Sequence, residues 1–253
     1  MKQASEFAAE TPCALVQRTR IVLVEPSHSG NIGAAARAMK AMGMTELVLV
    51  NPRAFPSAEA TARASGADDL LVNARVHGSL PEAIADCGVV VGTTARTRHL
   101  EWPVSGPREV ARALFELPPS TQCALLFGRE QAGLSNQELA LCQRVIRIPT
   151  EDSFSSLNIA QAVQICAYEL RMSALGASPL PAIDDEPLAN GSELKEVLEH
   201  LLRVMEAVDF FNPAQPKLLP IRLSRLVNRS GLKRSEAQIL RGFFTAIEKQ
   251  RHG

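Results

Sequence analysis

Five short segments of the chain are almost entirely apolar and are rich in valine, isoleucine and leucine. They span residues 21–24, 47–50, 89–91, 124–127 and 145–148. Continuous apolar runs of this length are typical of parallel strands that are covered on both faces. The pattern therefore predicts a parallel β-sheet in the interior of the protein.

Segments with helical patterns separate these apolar runs. They predict helices over residues 33–42, 58–64, 80–85, 107–115 and 136–141, and a longer helix over residues 157–175. Strands that alternate with helices favour an α/β fold, a parallel sheet flanked by helices and joined by right-handed crossovers.

The composition changes after Ala174, where proline, glycine and acidic residues become frequent. Such a segment is typical of a linker. After Ser192, which can cap a helix, apolar residues recur at helical spacing, and a second helix is predicted from Ser235. The predicted domains are residues 1–175, a linker over 176–192, and a small helical extension over 193–253.

The formal net charge is zero, but the helical extension is basic. From Lys217 onward it carries Lys217, Arg222, Arg225, Arg229, Lys233, Arg234, Arg241, Lys249 and Arg251 against Glu236 and Glu248. A basic surface of this kind indicates a polyanion partner, although a solvated helix face is the alternative.

Composition and motifs exclude several classes of protein. No apolar run reaches the roughly 20 residues of a membrane span, and the first twenty residues lack the apolar stretch of a secretory signal, so we expect a cytoplasmic protein. The five cysteines include no C-x-x-C pair, the five histidines are scattered, and no H-E-x-x-H string occurs, so we expect neither disulfides nor a metal. Neither a P-loop nor a G-x-G-x-x-G string is present.

Three polar motifs each follow a predicted strand and lead into a predicted helix. They are NIGAAAR (residues 31–37), FGREQAGLS (127–135) and IPTEDSFSSLNIAQAV (148–163). The carboxyl ends of parallel strands meet at one edge of a sheet, where such folds bind ligands. The motifs therefore predict a small-molecule site.

Each motif has a chemical and a structural interpretation. The turn before NIGAAAR can present backbone N–H groups to an anion, and Arg37 can bind phosphate or pair with a surface carboxylate. Gly128 and Gly133 allow positive φ or close backbone approach. The serines of the third motif can contact a ligand or cap the following helix.

The order and spacing of the three motifs resemble the SPOUT class of RNA 2′-O-ribose methyltransferases, the TrmH superfamily. The strings VEPSHSGNIG and VVGTTARTR and the helical extension are similar to the members that methylate nucleotide 32 of the tRNA anticodon loop. This resemblance implies a SPOUT fold with a C-terminal trefoil knot, bound S-adenosylmethionine, a tRNA substrate and a homodimer.

Carried over motif by motif, the resemblance also implies the roles of individual residues. The expected cofactor-binding residues are Thr93, Thr94, Ala95, Gly128, Ile148, Ser155, Ser156 and Leu157. The expected catalytic residues are Arg37, Ser156 and Asn158. An arginine is a poor free base because its pKa exceeds about 12. We therefore expect Arg37 to bind substrate phosphate and orient the hydroxyl, with Ser156 and Asn158 positioning Arg37 or the nucleotide.

The resemblance leaves several alternatives open. The substrate can be another tRNA position or ribosomal RNA, because the motifs are shared while the extension differs among members. A non-catalytic RNA-binding protein is the alternative from another class. The proton acceptor, the accepted bases, and whether the extension packs within or across subunits are also open.

Overall fold

The computed structural model describes residues 14–95, 104–151, 153–176 and 186–251. Within these ranges seven strands form one parallel sheet. The strands are β1 (Thr19–Val24), β2 (Leu47–Val50), β3 (Arg75–His77), β4 (Val89–Thr93), β5 (Val104–Ser105), β6 (Cys123–Phe127) and β7 (Arg144–Ile146). Their order across the sheet is β3-β2-β1-β6-β4-β7-β5.

Helices connect the strands and continue into the C-terminal part of the chain. The helices among the described residues are α1 (Ala14–Gln17), α2 (Ser29–Ala41), α3 (Ala58–Ala64), α4 (Asp68–Val72), α5 (Leu80–Ala83), α6 (Pro107–Phe115), α7 (Asn136–Ala140), α8 (Ile159–Gly176), α9 (Gly191–Ala207), α10 (Leu219–Arg229) and α11 (Arg234–Arg251). The predicted α/β fold with a parallel sheet is confirmed.

The sheet is covered on both faces, as its apolar strands predict. Ile21 and Leu23 of β1 point into a core formed with α2, α3, α6 and α8. Val22 and Val24 point to the opposite face, where α5 and α7 pack. Successive side chains of a strand alternate between faces, so one short apolar run contributes to both cores.

Two strands and three helices were not predicted. The missed strands β3 and β5 lie at the two edges of the sheet and are largely exposed, so neither shows a continuous apolar run. The missed helices are α1, α4 and α10, of which α1 and α4 have only four and five residues.

Helices α9, α10 and α11 pack around their own apolar cluster, which includes Leu194, Val204 and Phe244. Helix α9 begins at Gly191, and its cap is Asn190, whose side chain accepts from the N–H of Glu193. The expectation that Ser192 caps this helix is therefore wrong. The Ser192 N–H instead donates to the carbonyl of Ala85 over 2.8 Å, which ties the helical extension to the sheet domain.

Candidate active site

Three neighbouring strands bring several of the predicted site residues to one edge of the sheet. Thr93 ends β4, Gly128 follows β6, and Ile148 lies two residues beyond β7. Since β4 pairs with both β6 and β7, the three strand ends lie side by side. The Thr93 hydroxyl donates to the Leu126 carbonyl over 2.8 Å, and the Thr94 N–H donates to the Ile146 carbonyl over 2.9 Å. These bonds fix the turn that ends in the exposed Ala95.

The loop after β6 is closed by its two glycines. A Cβ atom on Gly128 would overlap backbone atoms of Gly133 and Leu134, so only glycine fits there. Gly133 has a φ of 68°, a conformation that L-residues with side chains rarely adopt. The Ser135 side chain then caps α7 in a reciprocal arrangement with Glu138.

The third motif forms an irregular segment between β7 and α8. Ser155 and Leu157 are half-buried, whereas Ser156 is exposed. The cap of α8 is Asn158, whose Oδ1 accepts from the N–H of Ala160 over 2.9 Å. Neither the Ser155 nor the Ser156 hydroxyl bonds to another residue in the described ranges, so both are available to a ligand.

Side-chain hydrogen bonds join the three motifs to one another. Asn158 Nδ2 donates to Asn31 Oδ1 over 2.9 Å, and Asn31 Nδ2 donates to Glu130 Oε1 over 3.1 Å. Asn158, Asn31 and Glu130 come from the third, first and second motifs respectively. We call these three side chains the Asn–Asn–Glu relay. Asn31 and Glu130 stand within the motifs, but of the three residues only Asn158 was predicted as a catalytic residue.

Glu130 occupies the anion position that the sequence predicts at the turn before α2. Its Oε2 accepts from the Ser27 N–H over 3.1 Å and from the Ser27 hydroxyl over 2.9 Å, and its Oε1 accepts from the His28 N–H over 3.3 Å. Burial alone would raise the pKa of this carboxyl, but the bonds from Asn31 and Ser27 lower its pKa to about 2. The backbone N–H groups of the turn therefore bind the carboxylate of Glu130 and do not form an open site for an external anion.

Arg37 lies on α2, six residues beyond Asn31, and its side chain is exposed. It forms no hydrogen bond or ion pair with another residue in the described part of the chain. The alternative in which Arg37 pairs with a surface carboxylate is therefore not observed among these residues. Asn158 contacts Asn31 instead of Arg37. The contact between Asn158 and the first motif therefore runs through Asn31.

A cluster of charges lies beside the relay. Arg129 binds Glu25 through two hydrogen bonds of 2.6 and 2.8 Å and binds Glu138 through two of 3.1 Å. The Glu25 contact, followed by Glu138, raises the pKa of Arg129, and Arg129 lowers the pKa of Glu25. The cluster holds the second motif against the end of β1.

Outside this edge, none of the described helices is long and apolar enough to cross a membrane. The described residues also contain no group of three side chains arranged to hold a metal ion. Cys87, Cys123, Cys142 and Cys166 are buried free thiols, and Cys13 lies outside the described residues.

Comparison with known proteins identifies the two parts of the chain. Residues 18–168 match the SpoU rRNA Methylase family, and residues 192–253 match the C-terminal domain of the tRNA methyltransferase TrmJ. The chain belongs to the SpoU methylase family. The resemblance to the SPOUT class that the three motifs carry is thereby confirmed.

Relatives within the SpoU methylase family cover nearly the whole chain. A protein of Pseudomonas aeruginosa named tRNA (cytidine/uridine/adenosine-2′-O-)-methyltransferase TrmJ is 45% identical over 249 residues, covering 94% of this chain and 97% of its own. An Escherichia coli protein named tRNA (cytidine/uridine-2′-O-)-methyltransferase TrmJ is 41% identical, covering 94% and 98%. The crystal structure of TrmJ from Z. mobilis superimposes with a TM-score of 0.81 at 36% identity, covering 91% of this chain and 99% of that one.

Proposed function

We propose that this chain is a tRNA 2′-O-ribose methyltransferase that uses S-adenosylmethionine and acts on nucleotide 32 of the anticodon loop. The observation that carries the proposal is the Asn–Asn–Glu relay, which joins three motifs that are far apart in sequence into one site. The names of the relatives support the reaction and the tRNA substrate. Nucleotide 32 is proposed from the sequence resemblance.

The residues at the ends of β4, β6 and β7 fit S-adenosylmethionine. They combine the hydroxyls of Ser155 and Ser156, which have no partner among the described residues, with the half-buried apolar side chains of Ile148 and Leu157. The flat adenine of this cofactor needs apolar walls, which the two apolar side chains can provide. Its polar edge and the ribose need hydrogen-bonding groups, which the two hydroxyls can provide. Thr93, Thr94, Ala95 and Gly128 complete the proposed pocket, and the trefoil knot belongs to the same proposal.

S-adenosylmethionine supplies the methyl group, and the protein must orient the ribose hydroxyl toward it. Arg37 is exposed and unpartnered among the described residues, so its guanidinium is free to bind the phosphate next to that ribose. Ser156 is exposed on the third motif and can contact the same nucleotide. Asn158 acts as a positioning residue, because its amide bonds to Asn31 rather than to Arg37.

The proposal includes a homodimer. Three large side chains of α8, those of Tyr168, Met172 and Leu175, are 44–55% exposed and recur at helical spacing. Phe154, just before this helix, is 76% exposed. An exposed apolar stripe on α8, the helix that follows the third motif, favours a partner subunit at this surface.

The test is methyl transfer from labelled S-adenosylmethionine to unmodified tRNA transcripts, followed by mapping of the methylated nucleotide. We expect ribose methylation in the anticodon loop that is lost in Arg37→Ala. The matched control is Arg112→Ala, which removes another exposed arginine without a partner among the described residues, located on α6. Calorimetry should give equal affinities for S-adenosylmethionine in all three proteins.

Other outcomes would support the alternatives. Methylation at another tRNA position, or of ribosomal RNA only, would change the substrate while keeping the reaction. Binding of tRNA without affinity for S-adenosylmethionine would favour a non-catalytic RNA-binding protein.

A further inference from the structure

A cavity of about 520 Å³ opens beside the Asn–Asn–Glu relay, at the carboxyl ends of β2, β1 and β6. Its walls come from the loops that follow these three strands. The volume lies within the range of about 300–1,000 Å³ that is usual for small-molecule sites. None of the described residues that line the cavity belongs to the proposed cofactor pocket or to the proposed catalytic set.

The cavity is continuous with the proposed reaction site. Glu130 and Ser27 line it and are hydrogen-bonded to each other, and Glu130 also accepts a hydrogen bond from Asn31 of the relay. In the sheet, β1 is separated from β4 only by β6, which corresponds to about 10 Å at two strand spacings. An RNA strand whose reacting ribose lies near the end of β4 can therefore place an adjacent nucleotide over β1.

The floor of the cavity offers hydrogen-bond acceptors, because the five N–H groups of Arg129 are already bonded to Glu25, Glu138 and the Gly133 carbonyl. Glu25 and Arg129 are held together by their paired hydrogen bonds, yet their side chains are 45% and 29% exposed. Because Glu138 also binds Arg129, carboxylates outnumber guanidinium groups here, and a free anion is disfavoured at this floor. The amino groups on the edges of adenine, cytosine and guanine are hydrogen-bond donors and are suited to such acceptors.

One cationic side chain of the cavity remains uncompensated. Arg53 is exposed and makes no side-chain bond to another residue in the described ranges. Its backbone N–H donates to the Pro26 carbonyl over 3.2 Å, so the loop that carries it is tied to the loop after β1. A guanidinium binds phosphate through two parallel hydrogen bonds.

The backbone supports a ligand-binding role for this cavity. Glu25 and Asn51 are the residues immediately after β1 and β2, and their φ values are 47° and 44°. A left-handed backbone at a residue other than glycine is uncommon, and strained residues of this kind cluster at active sites and ligand-binding loops. Both residues line the cavity, and the Asn51 side chain is fixed by donation to the Gly78 carbonyl over 2.8 Å.

We propose that this cavity binds a nucleotide adjacent to the methylated one, with its base over the Glu25–Arg129 floor and its phosphate on Arg53. The inference rests on the proposed function, because it presupposes an RNA substrate at the neighbouring site. It adds a position at which the enzyme reads the sequence next to the methylated nucleotide.

The first experiment measures tRNA affinity of the full-length protein over a range of salt concentrations. Arg53→Gln should weaken binding about tenfold and reduce the slope of log affinity against log salt by about one. Affinity for S-adenosylmethionine should not change. Arg112→Gln, outside the cavity, should match the wild type, and an Arg53→Gln protein that behaves like this control would overturn the proposal.

The second experiment tests the base-binding part with synthetic anticodon stem-loops that carry an abasic site next to the methylated nucleotide. On one of the two sides, the abasic site should weaken wild-type binding about tenfold. Ala132→Leu, a change at an exposed side chain that narrows the cavity, should weaken binding of the intact stem-loop similarly and show no further loss with the abasic one. Independent, additive losses would overturn the assignment.

These readouts separate the two proposals because they measure binding. A wild-type protein that binds tRNA without transferring methyl groups would refute the proposed function, while the Arg53 and Ala132 variants would still decide the role of the cavity. A wild-type protein that methylates tRNA with unchanged affinity in both variants would refute the cavity alone.

Discussion

Asn158 donates a hydrogen bond from Nδ2 to Oδ1 of Asn31, across 127 positions of sequence. The Asn31 amide nitrogen donates in turn to Glu130. An amide has one acceptor side and one donor side, so these two bonds fix how Asn31 faces its neighbours. The orientation of the first motif therefore depends on both of the others, and a change at Asn31 should affect all three.

Replacing Asn31 with aspartate tests this dependence. Asn31→Asp keeps the shape but turns the donor that faces Glu130 into a carboxylate oxygen, which creates like-charge repulsion and an unsatisfied contact. We expect a loss of about 1–3 kcal/mol in the free energy of unfolding and a large loss of methyl transfer. Denaturant unfolding and the labelled-methyl assay measure the two effects.

The matched control is Asn73→Asp, which removes another hydrogen bond donated by a side-chain amide, to the Asp69 carbonyl over 2.8 Å, outside the site. Methyl transfer should be unchanged in this variant. Equal losses of activity in the two variants would contradict a special role for Asn31.

The depressed pKa of Glu130 makes a prediction about acid stability. Because the folded-state pKa is about 2, below the ordinary value of 4.5, the ionised carboxylate stabilises the fold above about pH 4.5. This contribution, about 1 kcal/mol after allowance for solvent screening, should be lost as pH falls from about 4.5 toward 2. Glu130→Gln should lack this pH-dependent part when unfolding free energies are compared across that range.

The control for this prediction is Glu116→Gln, which changes an exposed glutamate with no side-chain bond to another described residue. If the unfolding free energy of Glu130→Gln depends on pH as steeply as that of the wild type, the prediction is refuted.

Two helical glycines should respond to alanine with opposite signs. Alanine is favoured over glycine in helices by about 1 kcal/mol, so Gly242→Ala on α11, where a Cβ meets nothing within 4 Å, should stabilise the protein. At Gly33 on α2 a Cβ would overlap the carbonyl of Ala60 on α3, and Gly33→Ala should destabilise by about 1–3 kcal/mol instead. Thermal unfolding of both variants provides the comparison, and a Gly33→Ala protein as stable as the wild type would mean that α2 and α3 can separate at little cost.

How far the sequence predicts this fold depends on burial. The interior strands, such as β1 and β6, are apolar along their whole length and were predictable, whereas β3 exposes both Arg75 and Val76 and was not. Helix α10 was missed because its arginines were interpreted as a charged surface, while Leu223 and Val227 form a narrow buried stripe.

The site was predictable at the level of motifs but not of contacts. Arg37, Gly128 and Asn158 could be proposed because each stands in a recognisable motif after a strand. The contact between Asn31 and Glu130 joins residues 99 positions apart, and it depends on how two loops approach each other in the fold. No local pattern in the sequence encodes that approach.

The basic extension shows the same limit. The sequence does not distinguish Arg222, Arg229 and Arg234, which all belong to the basic surface of the extension. In the structure Arg234 binds Glu193 over 2.7 Å, and Arg241 binds Glu196 over 2.6 Å. Arg222 and Arg229 are exposed and make no side-chain bond to another described residue.

This difference predicts distinct effects for two double variants that each remove two positive charges. Arg222 and Arg229 are seven residues apart on α10 and therefore share a face of the helix. Arg222→Gln with Arg229→Gln should weaken tRNA binding and reduce the slope of log affinity against log salt by about two, because two phosphate contacts are lost. Arg234→Gln with Arg241→Gln should leave the slope near the wild-type value and reduce the stability of the extension by about 1 kcal/mol or less, as is usual for exposed ion pairs. Equal slopes in the two double variants would mean that tRNA responds only to the net charge of the extension, and that the exposed face of α10 is not a specific contact surface.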